Sequence, residues 1–197
     1  MASNLCEKFI KGCVSVEDCD NIGYAGVSNT GWIANYADID TVTYDSNNGN
    51  IVDGITMKTE TVGNETVSKC FFPMTVMGNQ PYQGSNTSLV IGDYGNRFTH
   101  VVNISILDNS PKLSNEVLDN LANGRFVVIL ENDFKDSNNT NRYSIYGLAK
   151  GLKATNISRD LYDNEAAWIC ELSEEGNPKS ETFVKASIMS GLECDCQ

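Results

Sequence analysis

Apolar positions recur along the chain with the two-residue period of β-strands in several segments, and with the helical period in one. In RFTHVVNISIL (97–107), Phe98, His100, Val102, Ile104 and Ile106 share one face while Arg97, Thr99, Asn103 and Ser105 occupy the other, the pattern of a half-buried strand. The segment RFVVILEN (125–132) carries an unbroken apolar run rich in Val and Ile, which predicts a central strand buried on both faces. Between them PKLSNEVLDNLANG (111–124) predicts the one helix, over Leu113 to Asn123: Ser114 caps it, Leu113, Val117, Leu118 and Leu121 form one stripe, and Gly124 ends it.

Upstream, IGYAGVSNTGWIANYADIDTVTYD (22–45) has the β-branched and aromatic habit of consecutive strands, and Asn48-Gly49 before IVDGITMK predicts a tight hairpin turn with positive φ at its centre. A calcium loop over 45–50 is the weaker reading, because its Gly comes too early and no Glu closes it. VSKCFFPMTVMG (67–78) reads as a strand that Pro73 pushes to an edge or a bulge, and NQPYQGSNTS (79–88) as an exposed loop. After the central strand come a polar loop, RYSIYGLAKGL (142–152), a second polar connection and the Trp-led strand AWICELSEE (167–175). ETFVKASIM (181–189) reads as a last strand with two mixed faces, suited to a position between subunits or to a covered edge. Residues 1–21 read as an N-terminal arm, 22–190 as one β domain and 191–197 as a C-terminal tail.

Charge narrows the functional classes. Lys and Arg total 14 against 26 Asp and Glu, a formal net charge of -12, so the surface is unsuited to gripping phosphate but tolerates a duplex that slides past without sticking. No apolar run approaches the length of a membrane span, and no secretory signal is read at the N-terminus. Reduced thiols are therefore the expected state of Cys6, Cys13, Cys19, Cys70, Cys170, Cys194 and Cys196, with Cys70 and Cys170 as small core hydrophobes. A zinc site joining the N-terminal three to Cys194 and Cys196 is the rival use of these thiols. With no G-x-S-x-G, no phosphate-cradling glycine loop and no paired histidines, neither an enzyme nor a cofactor or metal is expected.

The order of capped helix, apolar strand, aromatic-Gly-Leu with Gly151-Leu152 three residues on, polar connector, and Trp-led strand with an acidic end at Glu174-Glu175 resembles the tail-tube-like structural proteins of phages infecting Bacteroides-type bacteria, including the crAss-like group. The resemblance covers 97–184. It implies a mainly β fold, an antiparallel β-sandwich or barrel of tail-tube type with one flanking helix. It also implies a virion protein made in the host cytoplasm that forms a cyclic six- or twelve-fold homo-oligomer in the tail, hub or portal-proximal assembly. The partners would then be its own copies, other tail, portal or ring proteins, and DNA passing without specific binding; no membrane is involved. In such a ring the candidates for a like-charge wall facing the lumen are Asp45 and Asp53 on the hairpin, Asp133 and Asp136 on one loop, and Asp160, Asp163 and Glu165 on the connector. The rival class is a monomeric β-sandwich that binds a glycan or protein through its Asn/Gly/Ser loops, with Trp32 or Tyr82 as stacking platforms.

Overall fold

The structure, a computed structural model, describes residues 27–62, 65–75, 82–93, 95–106, 110–133, 142–162 and 167–194. The arm, Cys6, Cys13, Cys19, Cys196, Asp136, Asp163 and Glu165 lie outside them. Strands β1 (Val27–Asn35), β2 (Ile39–Tyr44), β3 (Ile51–Met57), β6 (Phe72–Thr75), β9 (Phe126–Asn132), β10 (Tyr143–Tyr146) and β13 (Phe183–Val184) form a seven-stranded sheet in the order β2-β3-β13-β10-β9-β1-β6. Strands β7 (Tyr82–Val90), β8 (Arg97–Ile106), β11 (Lys153–Arg159) and β12 (Trp168–Asn177) form a four-stranded sheet ordered β11-β12-β8-β7. A two-stranded ribbon, β4 (Thr59–Val62) with β5 (Glu65–Ser68), stands apart. The protein is thus mainly β, two sheets packed as a sandwich; every named pairing is antiparallel except β13 with β3.

The apolar run of 125–132 becomes β9, buried at every position because both faces of the large sheet are covered there. Phe126, Val128 and Leu130 face the small sheet and meet Val102 and Ile104 of β8 and Cys170 and Leu172 of β12. Val127 and Ile129 point the other way, into a second core with Trp32, Ile145 and Val184. That second core is covered by the C-terminal segment, through Met189 and Leu192. Each buried aliphatic of this size contributes about 1.5–3 kcal/mol by leaving water, so the two-sided strand is the energetic centre of the fold.

The helical segment runs from Pro111 as three contiguous stretches: Pro111–Leu113, wider π-type turns over Ser114–Leu118, and Asp119–Asn123. It begins three residues before the expected cap, since Pro111 suits a first turn whose N–H groups have no partners, and Ser114 lies inside it. Leu118 and Leu121 are buried as the stripe predicts, whereas Val117 is exposed. The Gly124 N–H bonds to the Asn120 carbonyl and the chain leaves extended.

Five expectations are corrected. The polar stretch from Tyr82 is the edge strand β7, not a loop, and the polar connection after Gly151 contains β11. ETFVKASIM gives only the two-residue β13, inside the sheet, followed by one helical turn at Ala186–Met189. The hairpin between β2 and β3 exists, but Gly49 is not among the positive-φ glycines. Its turn is built instead on Asp45, whose Oδ1 accepts the N–H groups of Asn47 and Asn48 at 2.8 and 3.2 Å. Finally, Cys70 is no free thiol: it is joined to Cys194 in a disulfide spanning 124 residues, so residues assigned to a tail belong to the core. Pro73 does lie on an edge strand, β6. No helix among the described residues is long and apolar enough to cross a membrane.

Candidate functional site

Two features stand out above the general packing: a polar cluster buried at one end of the sandwich, and the open edges of the sheets. The cluster forms where β12 ends and the chain crosses from the small sheet to the large one. His100 of β8 lies opposite Glu174 of β12, and both are almost wholly buried. The His100 Nε2–H donates to the Ser180 carbonyl at 3.1 Å, since a carbonyl can only accept. Its Nδ1 lies 3.5 Å from Asn177 Nδ2 and 3.9 Å from Glu174 Oε2. Glu174 accepts the Lys150 N–H on Oε1 and the Asn177 side chain on Oε2 at 2.9 Å. Gly176, at φ +78°, forms the bulge that turns Asn177 inward.

Beside it, Tyr146 packs edge-on against the His100 ring, 5.6 Å between centroids, and its hydroxyl pairs with Ser85 Oγ at 2.8 Å. Burial pushes the Tyr146 phenol above its ordinary range. Asn132 donates to Ser144 Oγ at 2.8 Å, and Ser144 donates to Glu181 at 3.1 Å. These bonds connect β8, β9, β10, β12 and the crossing segment, and His100 is one of their structural members. The Nε2–H of His100 is committed to the Ser180 carbonyl.

The edges differ from one another. On the large sheet, β6 carries Pro73 and β2 carries Asp40, both devices that blunt strand addition. On the small sheet, β11 carries Lys153 and Arg159. The other edge, β7, has nine residues with no charge and no proline; its last two, Leu89 and Val90, and Ile91 just after it are 53, 50 and 81% exposed. Among the described residues no strand pairs with its outer side.

No family model, curated protein or solved structure matches the chain.

The expected acidic residues are dispersed by the fold. Asp45 and Asp53 share one ammonium, Lys185 Nζ, at 2.7 and 2.6 Å, which ties the β2–β3 hairpin to the end of β13. Asp133 is exposed just past β9; Asp160 is exposed past β11, in the other sheet, and accepts the Tyr162 N–H at 2.9 Å. Trp32 is 6% exposed and edge-on to Tyr143, so it is core and no stacking platform. Tyr82 begins β7. Among the described residues no group of three His, Cys, Asp or Glu is placed to hold a metal, and Cys194 is consumed by its disulfide. Cys170 is buried and reduced, as expected, and burial pushes its thiol up to about 11. The sequence reading missed the Cys70–Cys194 pair, the Glu174 cluster and the β7 edge; the absence of charge in YQGSNTSLV was the available signal for the last.

The Lys185 pair gives a pH prediction. The hydrogen bond from Lys185 holds the Asp45 carboxyl below its ordinary 3.8. The stability it contributes is therefore fully present above that value and is lost as pH falls through the lower, folded one. Lys185 is raised above 10.5, first by Asp45 and then by Asp53, so its contribution is present below that value and lost on the alkaline side. The difference in urea midpoint between wild type and Lys185→Met should be constant near neutrality and shrink as pH drops below about 4. A difference that does not change with acid would remove this assignment.

Proposed function

We propose that the chain is a structural virion protein that closes into a ring in a phage tail, hub or portal-proximal assembly and forms part of the conduit for genome passage. The observation that carries this reading is the β7 edge, which beyond its bulge at Gly84 is uncharged and free of proline and has no described strand on its outer side. A long strand edge without charge or proline is a template for another strand, and soluble proteins seldom leave one uncovered. The order β11-β12-β8-β7 is antiparallel throughout, so its two edges run in opposite directions. A neighbour rotated about an axis along the strands therefore brings its β11 against β7 in antiparallel order, and the contact is head-to-tail, the type that closes rings.

A second support is the distribution of exposed apolar groups. Leu161 and Tyr162, 66 and 100% exposed, follow the end of β11, which pairs with the Trp168 end of β12. Leu89, Val90 and Ile91 lie toward the opposite end of the same sheet, by the pairing of Val90 with Arg97. A ring built this way has an apolar rim above and below, as stacking requires. The net charge of -12 suits a wall along which a duplex passes without binding, with Asp53, Asp133 and Asp160 the exposed candidates among the described residues.

Sedimentation velocity and negative-stain imaging test the proposal. Wild type at micromolar concentration, with its virion neighbours if needed, should give closed rings. Introducing Asn86→Lys and Ser88→Lys together, at exposed positions of β7, should weaken association at least tenfold and leave the far-UV spectrum unchanged. A wild type that stays monomeric in the presence of its neighbours would decide for the glycan- or protein-binding module instead.

A further inference from the structure

We infer that Cys70 and Cys194 form a redox latch that fastens the C-terminal segment over the outer core of the large sheet. The latch is independent of whether the chain forms rings.

The segment after β13 has little of its own to hold it. Its helical turn, Ala186–Met189, is far too short to persist alone. It is seated by Met189 and Leu192, which bury against Trp32, Phe71, Ile129 and Ile145. Two backbone bonds fix its far end: the Phe71 N–H donates to the Leu192 carbonyl at 2.7 Å, and the Cys194 N–H donates to the Phe71 carbonyl at 2.8 Å. Phe71 and Glu193 thereby pair as a parallel bridge. Neither bond needs the sulfurs. The reduced chain can therefore dock the segment by itself, and docking brings the two thiols together. Beyond Lys185, a segment seated by two buried side chains and two backbone bonds opens locally at less cost than the paired strands, and a covalent bond removes that opening.

The chemistry balances with a low-molecular-weight disulfide as the oxidant. Cys70 is half-buried while Cys194 is 9% exposed, so Cys70 meets the reagent first. Its thiolate attacks one sulfur of RSSR, expelling RS⁻ and leaving a mixed disulfide. The Cys194 thiolate then attacks Cys70 Sγ and expels the second RS⁻, so two electrons pass from the protein dithiol to RSSR. The reverse exchange with excess thiol opens the latch. Cys170 does not compete, since it lies in the inter-sheet core on the other side of the large sheet and its thiol is pushed up by burial. In a reducing compartment the segment docks and undocks; in an oxidising one it is fixed.

The test uses the full chain equilibrated in mixtures of reduced and oxidised glutathione. Peptide mapping after alkylation reports the Cys70–Cys194 bond, limited proteolysis reports opening of residues 185–194, tryptophan emission reports exposure of Trp32, and far-UV dichroism reports the sheets. Reduction is expected to raise cleavage within the segment at least tenfold and to shift emission to the red, with the dichroism unchanged. Cys194→Ser should behave as the reduced wild type under both conditions. Equal protection of the segment in reduced and oxidised protein would overturn the latch, as would pairing of Cys70 with another cysteine. Loss of the sheet signal on reduction would also overturn it, by making the bond a staple of the whole fold.

Discussion

Replacing Glu174 with alanine should destabilise the protein by about 2–6 kcal/mol, because it takes the acceptor away from two donors at once. The carboxylate accepts from Lys150 N–H and from the Asn177 amide and stands beside His100. Without it the Lys150 N–H and an Asn177 amide N–H lose the acceptor they have in the fold, and each orphaned donor costs about 1–3 kcal/mol. Glu174→Gln keeps the shape but turns one acceptor into a donor, so an intermediate loss is expected. Urea unfolding of Glu174→Ala, Asn177→Ala and the double variant measures the coupling directly. Independent, additive losses would mean that Glu174 and Asn177 do not act as one unit.

Gly147→Ala is the second large effect, about 2–4 kcal/mol from strain at positive φ together with a disturbed backbone bond. Gly147 sits at φ +95°, and a Cβ there would lie 2.4 Å from the Phe126 carbonyl oxygen. That carbonyl accepts the Leu152 N–H at 2.8 Å, and Phe126 N–H returns the bond to Leu152 at 2.9 Å, which joins the start of β9 to the start of β11. The alanine must push this bridge apart. Gly49→Ala is the control: nothing lies within 4 Å of its Cβ and its φ is not positive, so its melting temperature should be unchanged. A thermal melt in which the two variants behave alike would refute the argument.

The aromatic-Gly-Leu motif was visible in the sequence because its glycines do a job no other residue can do. The strands β8 and β9 were visible for a related reason: their side chains face one or two cores, and burial imposes its period on the sequence. Strands β7 and β11 were not, because their outward positions are solvated and YQGSNTSLV and KATNISR carry few apolar residues to reveal an inner face. Backbone pairing holds them in place, and backbone leaves no trace in composition. The C-terminal strand was read too long because VKASIM has no feature that separates a strand from a helical turn. Asp45 and Glu174 were legible only as negative charge. In the fold one shapes a turn and shares Lys185, and the other is sealed beside a histidine. The disulfide joins cysteines 124 residues apart, and no local spacing encodes such a pair.

The position of β13 has a consequence for how the protein is made. Its two residues fill the slot between β3 and β10, pairing in parallel with one and antiparallel with the other. Synthesis delivers β13 after every other strand of that sheet. Until it arrives, β2 and β3 cannot join β10, β9, β1 and β6, and the nascent sheet exists as two pieces with unpaired inner edges. Such edges, exposed while the ribosome is still at work, are where misassembly between nascent chains begins. The sheet is therefore completed only after Phe183 and Val184 have been made. The rate of that completion is set by closure of a contact between Phe183 and Ile51 across most of the described chain, the kind of long-range pairing that makes β-proteins slow to fold.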